Sequence, residues 1–414
     1  MSMVNRVLIA QLGSLPHYRL RFFEELTTLS QEREWRPVFA LEQGLLTGQN
    51  LGFSIVTDSK ALAQLETVGF RTRRLPGGLV WQGLLPLGCS GVKALITDTQ
   101  IGNLTYGLAP LVARVRGLRW GAWGHGRDRQ AANHSAQCSF KSLAESLKRR
   151  WIRQARQFFA YTPAEARFAV DHLGFSPDRV TLVQNTIDVV SELARADFAR
   201  EQLTKDWPGY RTRILQELGL TVPPLDRAES RVLLSVGRFI PQRQMARLIP
   251  IVDELFQRQP DLVWIMIGDG PDRSLFKPLQ ARWPRRLLLP GTITDSARLA
   301  QLYAVADAYI LYGLVGLGVV QACAHGLPTI YWAEQGHSPE VEYCTPANSV
   351  ALPGQGEGPQ ETHHLWRAIS EFSLPTSPLE SRLARRHAIA QTVAPFTIEA
   401  MAENFADGID RLMR

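Results

Sequence analysis

Two arginines five residues apart, Arg238 and Arg243, follow an apolar run from Val232 to Val236. A guanidinium binds phosphate with two parallel hydrogen bonds and stays charged; by type and spacing alone, the two are equally read as surface arginines near a helix start. Further on, Gly313, Gly316, Leu317 and Gly318 precede a short apolar helix pattern from Val319 to His325. A glycine-broken entry to a helix lets backbone N–H groups and the helix dipole meet an anion. Gly326-Leu327-Pro328 stops that helix and feeds an apolar strand, Thr329 to Trp332; a polar loop then leads to His337-Ser338-Pro339-Glu340 at the next helix start. Loop, helix, Gly-Pro stop, strand, loop, helix is the order of a βα nucleotide site. Gln321 lies on the first of these helices, and its amide both donates and accepts.

Other residues fit the same chemistry. His125 stands between Gly124 and Gly126 at a strand end beside Trp123; a neutral imidazole offers one donor and one acceptor to a ligand, or serves as a structural histidine at the strand end. Gly13 and Ser14 close the first strand, where a glycine lets a backbone N–H approach a phosphate or simply makes a βα turn. Gly237, Gly268, Gly270 and Gly291 shape loops at later strand ends. Glu340, behind Pro339, either holds a sugar hydroxyl or serves its own helix dipole. The sequence contains no H-E-x-x-H, C-x-x-C or D-x-D pattern, and no metal or other cofactor is expected.

The elements that must position these residues alternate between strand and helix. In the first half, Val7 to Gln11, Ala94 to Thr97, Trp120 to Trp123, Phe158 to Tyr161 and Val180 to Val183 read as strands, with helices near Tyr18 to Thr28 and over 141–157. In the second half, Val232 to Val236, Val263 to Ile267, Leu287 to Leu289 and Ala308 to Tyr312 are strands, with helices over Met245 to Arg258 and Arg298 to Ala306. Alternation of this kind predicts parallel sheets covered by helices on both faces. The expected architecture is α/β, with two Rossmann-like domains facing across a cleft and ligands at the carboxyl ends of their strands. The expected bounds are an N-terminal domain over 1–190, a connector over 191–228 containing Pro223-Pro224, and a C-terminal domain over 229–395. A terminal helix over 396–414 carries Ile398, Met401, Phe405, Ile409 and Leu412 on one face; it could pack on either domain, crossing back in the second case.

A chain of 414 residues, 45% hydrophobic and 21% charged, is ordinary for a two-domain globular protein. Four scattered cysteines suit a reducing compartment. The first apolar run is too short for a signal peptide and reads as a buried strand; no stretch reads as a membrane span. Charge is uneven: residues 1–190 hold 23 Lys/Arg against 14 Asp/Glu, and 191–414 hold 23 against 25. A basic half can face nucleic acid or an anionic membrane. No nucleic-acid module accompanies it; Lys141, Lys148, Arg149, Arg150, Arg153 and Arg156, with Trp151, Ile152, Phe158 and Phe159 nearby, suit either a solvated helix face or an anionic lipid surface.

In these residues the chain resembles the GT-B retaining glycosyltransferases of family 4 type. The resemblance rests on Ser235-Val236-Gly237-Arg238, Arg243, Ile267-Gly268-Asp269-Gly270-Pro271, Gly291, Leu302-Tyr303 to Asp307, and the segment from Tyr312 to Glu340. The first half agrees through Pro16-His17-Tyr18-Arg19, Trp123-Gly124-His125-Gly126 and Asn185-Thr186-Ile187-Asp188. The resemblance implies that Arg238 and Arg243 grip the donor diphosphate and that His125 meets the donor sugar. It places Gly13, Gly237, Gly268, Gly291, Gly316, Leu317, Gln321 and Glu340 around the donor. Family members usually carry two glutamates eight residues apart, one on the donor sugar and one on the ribose; here Gly313 and Gln321 stand there. The implied activity is metal-independent transfer of a hexose from a nucleoside-diphosphate sugar to a lipid-linked or polysaccharide acceptor, with retention, in the cytoplasm at the inner face of the membrane. Its partners would be the nucleotide sugar, the glycan or lipid acceptor and an anionic membrane surface met through 141–156, without nucleic acid. The alternatives are a GT-B protein that binds a nucleotide or glycan without turnover, and a GT-B nucleotide-sugar epimerase.

Overall fold

Leu262–Ile267 reads LVWIMI and is buried along its whole length. An unbroken apolar run of this kind belongs to a parallel strand covered on both faces. The computed structural model describes residues 4–10, 15–42, 56, 58–76, 79–83, 91–100, 102–126, 146–201, 207–222, 225, 230–334, 336–354, 359–372 and 379–414. They form two compact units, one of residues 1–187 with 396–414 and one of 188–395.

The first unit holds strands β1 (Asn5–Ala10), β2 (Trp35–Glu42), β3 (Thr67–Phe70), β4 (Arg73–Arg74), β5 (Val80–Trp81), β6 (Val92–Asp98), β7 (Arg119–Gly124), β8 (Gln157–Ala160) and β9 (Val180–Leu182). Seven of them make one parallel sheet in the order β3-β2-β1-β6-β7-β8-β9, and β4 pairs antiparallel with β5. Chain order reverses between β1 and β6, and ligands of open α/β sheets collect at such a switch. Both sheet faces are dry. One is covered by the helix His17–Ser30 and the terminal helix Ile398–Met413, the other by helices that include Ala109–Arg116 and Pro163–Asp171.

The terminal helix therefore packs on the first unit. Ile398, Met401, Phe405, Ile409 and Leu412 are buried on its inner face. Phe405 packs edge-on against Phe22 at 5.4 Å and tilted against Phe159 at 4.7 Å. Outside that apolar seam, Trp35 Nε1 donates to Asp410 at 2.6 Å, and Arg33 pairs with Asp410, Glu403 and Asp407.

The second unit holds β10 (Arg231–Val236), β11 (Leu262–Ile267), β12 (Leu287–Gly291), β13 (Ala308–Leu311), β14 (Thr329–Trp332) and β15 (Ser349–Leu352). All pairs are parallel, in the order β12-β11-β10-β13-β14-β15. Counted from its own first strand this is 3-2-1-4-5-6, the dinucleotide-fold order, with its switch between β10 and β13. The stretch expected as a connector carries the helices Val189–Glu201 and Trp207–Glu217, grouped with this unit. A buried carboxylate ties the second of them down: Asp307, just ahead of β13, accepts from Arg211 at 2.6 Å, Arg382 at 2.7 Å and the Val232 N–H at 2.8 Å. Burial alone would raise the Asp307 carboxyl; Arg211, then Arg382 and the Val232 N–H, outweigh it and hold the group below the usual carboxylate range.

Candidate functional site

At the carboxyl ends of β10 and β13 the second unit brings together most of the residues singled out from sequence. The chain leaves β10 through Gly237 and Arg238, makes a short turn over Pro241–Arg243, and returns past the loop that leaves β13. The Arg243 guanidinium lies over Gly237, with its carbon 3.2 Å from where a Cβ on that glycine would stand. Together with Arg238, Phe239, Leu311 and Tyr312 these residues line a pocket at the switch between β10 and β13.

Gly313 explains itself here. Its φ is +79°, and a Cβ on it would stand 2.7 Å from both the Cα and the carbonyl oxygen of Arg243. A side chain at 313 meets backbone on one side and left-handed strain on the other. A larger side chain does not fit at this position, because the main chain of Arg243 occupies its space. Gly268 is equally constrained, since a Cβ there would run into the Gly237 carbonyl oxygen. The Gly237 N–H donates to Ile267 at 2.9 Å and the Gly268 N–H to the Gly291 carbonyl at 2.9 Å, so Gly237, Gly268 and Gly291 form one laced edge along three neighbouring strand ends.

Arg243 is electrostatically unusual. It is half-buried, no carboxylate among the described residues pairs with it, and its Nε, shielded from solvent, meets no hydrogen-bond partner there. Burial pushes its pKa down from the usual guanidinium value, Tyr309 pulls it back up, and the charge of Arg238 pushes the same way as burial. Arg238 is exposed. Two cations are thus held at one strand end, one of them partly desolvated without a counter-charge, an arrangement that an anionic ligand relieves.

The glycine loop is fixed from below and from the side. Tyr309, in β13, was not picked out from sequence, where it reads as one more apolar strand residue. Its hydroxyl donates to the Val236 carbonyl at 2.9 Å and lies 2.9 Å from where a Cβ on Gly318 would stand. His337 Nδ1 accepts the Val315 N–H at 3.2 Å, and its Nε2 lies 2.9 Å from the Trp332 carbonyl. Both bonds are satisfied by the neutral Nε2–H tautomer. The Ser338 N–H donates back to Val315 at 3.0 Å. Glu340 is buried in the turn Pro339–Tyr343, directly after this clip. Gly316 and Leu317 sit in the clipped loop, and open space surrounds the Gly316 Cα.

Gln321 faces the first helix of the unit. Its Nε2 lies 3.4 Å from Glu192 Oε2, and its Oε1 accepts from Tyr303 at 3.4 Å, which leaves one N–H and one lone pair for a ligand. Glu192 also meets His325 Nε2 at 2.8 Å, and His325 stacks on Tyr303 at 4.6 Å. Burial pushes the His325 pKa down although Glu192 acts against it; burial would raise Glu192, and His325, Arg195 and Gln321 together outweigh that, so its carboxyl stays low. No sequence signal marked Glu192, which is 129 residues from Gln321.

In the first unit, His125 follows β7, its ring 4.9 Å from that of Tyr161. Its carbonyl accepts from Thr99 at 2.9 Å, at the carboxyl end of β6. Asp98, beside it, is buried, and burial raises its carboxyl to about 7 against the Thr99 N–H and the charge of Lys148. Arg19 is a buried fastener: it donates to Asn185 at 2.6 Å and approaches Met401 Sδ at 3.6 Å. Two stretches noted for their resemblance, Pro16 to Arg19 and Asn185 to Asp188, are thereby bonded to each other. Gly13 and Ser14 lie outside the described residues, as does Lys141; a helix covers 146–152. No group of three His, Cys, Asp or Glu able to hold a metal ion occurs among the described residues.

Known proteins resemble this chain in part of its sequence and in its fold. Residues 230–350 match the family model described as glycosyl transferases group 1. An uncharacterized glycosyltransferase of Bacillus subtilis, YqgM, is 40% identical over 53 residues, 13% of this chain and 15% of its own. Glycogen synthase of Thermotoga petrophila is 26% identical over 165 residues, 39% of this chain and 32% of its own. The chain thus spans less than a third of these curated relatives. Among solved structures, Anabaena Alr3699/HepE in complex with UDP superposes with a TM-score of 0.62 at 14% identity, covering 98% of this chain and 99% of that one. The likeness at that identity concerns the fold, which is the two-domain GT-B fold expected from the sequence.

Proposed function

We propose that the protein is a glycosyltransferase that takes a hexose from a nucleoside-diphosphate sugar and passes it to a hydroxyl on a lipid-linked or polysaccharide acceptor, with retention and without a metal. One observation carries this reading: the half-buried guanidinium of Arg243, without a carboxylate partner among the described residues, at the topological switch of a nucleotide-binding fold. The matching family model over 230–350 and the UDP held by the similarly folded Anabaena protein support the donor class.

In the proposed reaction the diphosphate lies against Gly237, Arg238 and Arg243, with Gly316 and Leu317 on its other flank. Gly268, Gly291, Gln321 and Glu340 border the nucleotide and sugar. As the C1–oxygen bond breaks, negative charge grows on the diphosphate, where two fixed cations stabilise it more than they stabilise the bound donor. The acceptor oxygen bonds to C1 on the face the diphosphate leaves, and the acceptor proton passes to a diphosphate oxygen. Neither a protein nucleophile nor a metal is required.

The test is incubation with a panel of nucleotide sugars and a membrane extract, read as release of nucleoside diphosphate. Release from one donor, lost in Arg243→Met and partly kept in Arg243→Lys, is the expected result. No release and no binding of any donor overturns the proposal.

A further inference from the structure

Residues 102–126 and 146–161 of the first unit contain eight Lys or Arg and no Asp or Glu. They supply two neighbouring helices on the same sheet face, Ala109–Arg116 and the helix over 146–152. The Trp151 indole joins them by donating to the Gly107 carbonyl at 3.1 Å, while its ring packs on Trp120 at 5.1 Å.

The outer surface of this pair is apolar as well as basic. Leu111 is 59% exposed, Val115 78% and Leu147 58%, and Leu108 is also exposed. Leu108, Leu111 and Val115 are spaced three and four residues apart, so they form one stripe along the helix. The exposed Arg114 and Arg116 project roughly 100° to either side of that stripe. Leu147 lies one helical turn before Trp151, and Lys148 and Arg150 flank it. Ala109 and Ala113 face the core, so the stripe is not the helix's packing face.

We infer that this surface docks on an anionic lipid bilayer, with Leu108, Leu111, Val115 and Leu147 entering the acyl boundary and Arg114, Arg116, Lys148 and Arg150 at headgroup level. Cations on both flanks of an exposed aliphatic stripe match a layer that is negative outside and apolar within. Nucleic acid would reward the cations and leave the aliphatic stripe in water. No helix among the described residues is long and apolar enough to cross a membrane, so the contact is interfacial. The inference goes beyond the proposed reaction and extends the contact expected at 141–156 to a helix that the sequence reading passed over.

The test is cosedimentation of the full chain, without nucleotide, with vesicles of phosphatidylcholine alone and of phosphatidylcholine and phosphatidylglycerol at about three to one. Binding to the mixed vesicles and not to the neutral ones is expected. Arg114→Glu with Arg116→Glu lowers the partition coefficient at least about tenfold; Leu111→Ser with Val115→Ser lowers it comparably, and both keep the wild-type circular dichroism spectrum. Phe198→Ser, which removes an exposed aromatic 68% accessible on the second unit, leaves binding unchanged. Failure of the wild type to bind the mixed vesicles overturns the inference. So does binding that survives loss of the aliphatic pair, or that passes to single-stranded DNA with the same charge dependence. Vesicle binding is read without turnover, so its failure leaves the assigned reaction untouched.

Discussion

Replacing Gly313 with alanine isolates the packing that sets Arg243. The new Cβ would stand 2.7 Å from the Arg243 Cα and from its carbonyl oxygen, at a φ of +79°. Carbon atoms pack at about 3.5–4.0 Å, so the Arg243 segment must retreat by about 1 Å. The left-handed backbone costs about 1–2 kcal/mol and the overpacking about 1–3 kcal/mol, giving an expected loss of about 2–5 kcal/mol in unfolding free energy. A displacement of about 1 Å at a phosphate-gripping group is enough for a loss on the order of a hundredfold in turnover. Gly316→Ala is the matched control: the same loop, open space around the Cα and no left-handed φ, so its stability changes by less than about 1 kcal/mol. Urea unfolding of both variants decides the matter, with nucleotide-sugar turnover of Gly313→Ala read against the wild type. Equal losses of stability in the two variants would refute the claim that the Arg243 backbone fills the space a side chain at 313 needs. Gly313→Glu, which puts a longer side chain into the same space, is expected to be the worst of the three.

Other outcomes follow from groups outside that loop. The Asp98 carboxyl is raised by burial to about 7 from an unfolded value near 3.8, so the native state binds the extra proton. Its contribution is fully present below the unfolded pKa and is lost as pH rises through about 7, a decline on the order of 4 kcal/mol that Asp98→Asn should flatten in denaturant titrations across that window. Asp307 has the opposite sign: held low, it keeps its contribution above the usual carboxylate range and loses it as pH falls through the native value. Asp307→Asn strands Arg211 and Arg382 in the interior and should cost about 3–5 kcal/mol by thermal or chemical unfolding. Removing residues 396–414 takes away the five buried apolar side chains of the terminal helix and uncovers the sheet face they pack on. Each is worth about 1.5–3 kcal/mol, together comparable to a domain's whole stability of about 5–15 kcal/mol, so the first unit should lose cooperative unfolding.

What the sequence disclosed, and what it withheld, divides along physical lines. The central strands β1, β10, β11 and β13 were legible because burial on both faces leaves an unbroken apolar run. Strand β2 contains Pro37 and ends in Glu42, and β15 is only four residues with one exposed, so neither carries that signal. The helices Val189–Glu201 and Trp207–Glu217 are weakly amphipathic and charged, which made them look like linker. In the site, glycines and arginines announce themselves by type and spacing. Tyr309 and Glu192 do not, since each acts through a contact with residues tens to more than a hundred positions away. Residue type alone also could not say why glycine stands at 313; that reason is the position of another residue's backbone.

The central claim is most directly tested by a crystal structure of the chain soaked with a nucleoside-diphosphate hexose. The account predicts the diphosphate at the carboxyl ends of β10 and β13, within hydrogen-bonding distance of the Arg243 guanidinium and beside Gly237 and the Gly316–Leu317 loop. A nucleotide seated elsewhere in the protein, with Arg243 still lacking an anionic partner, would contradict it.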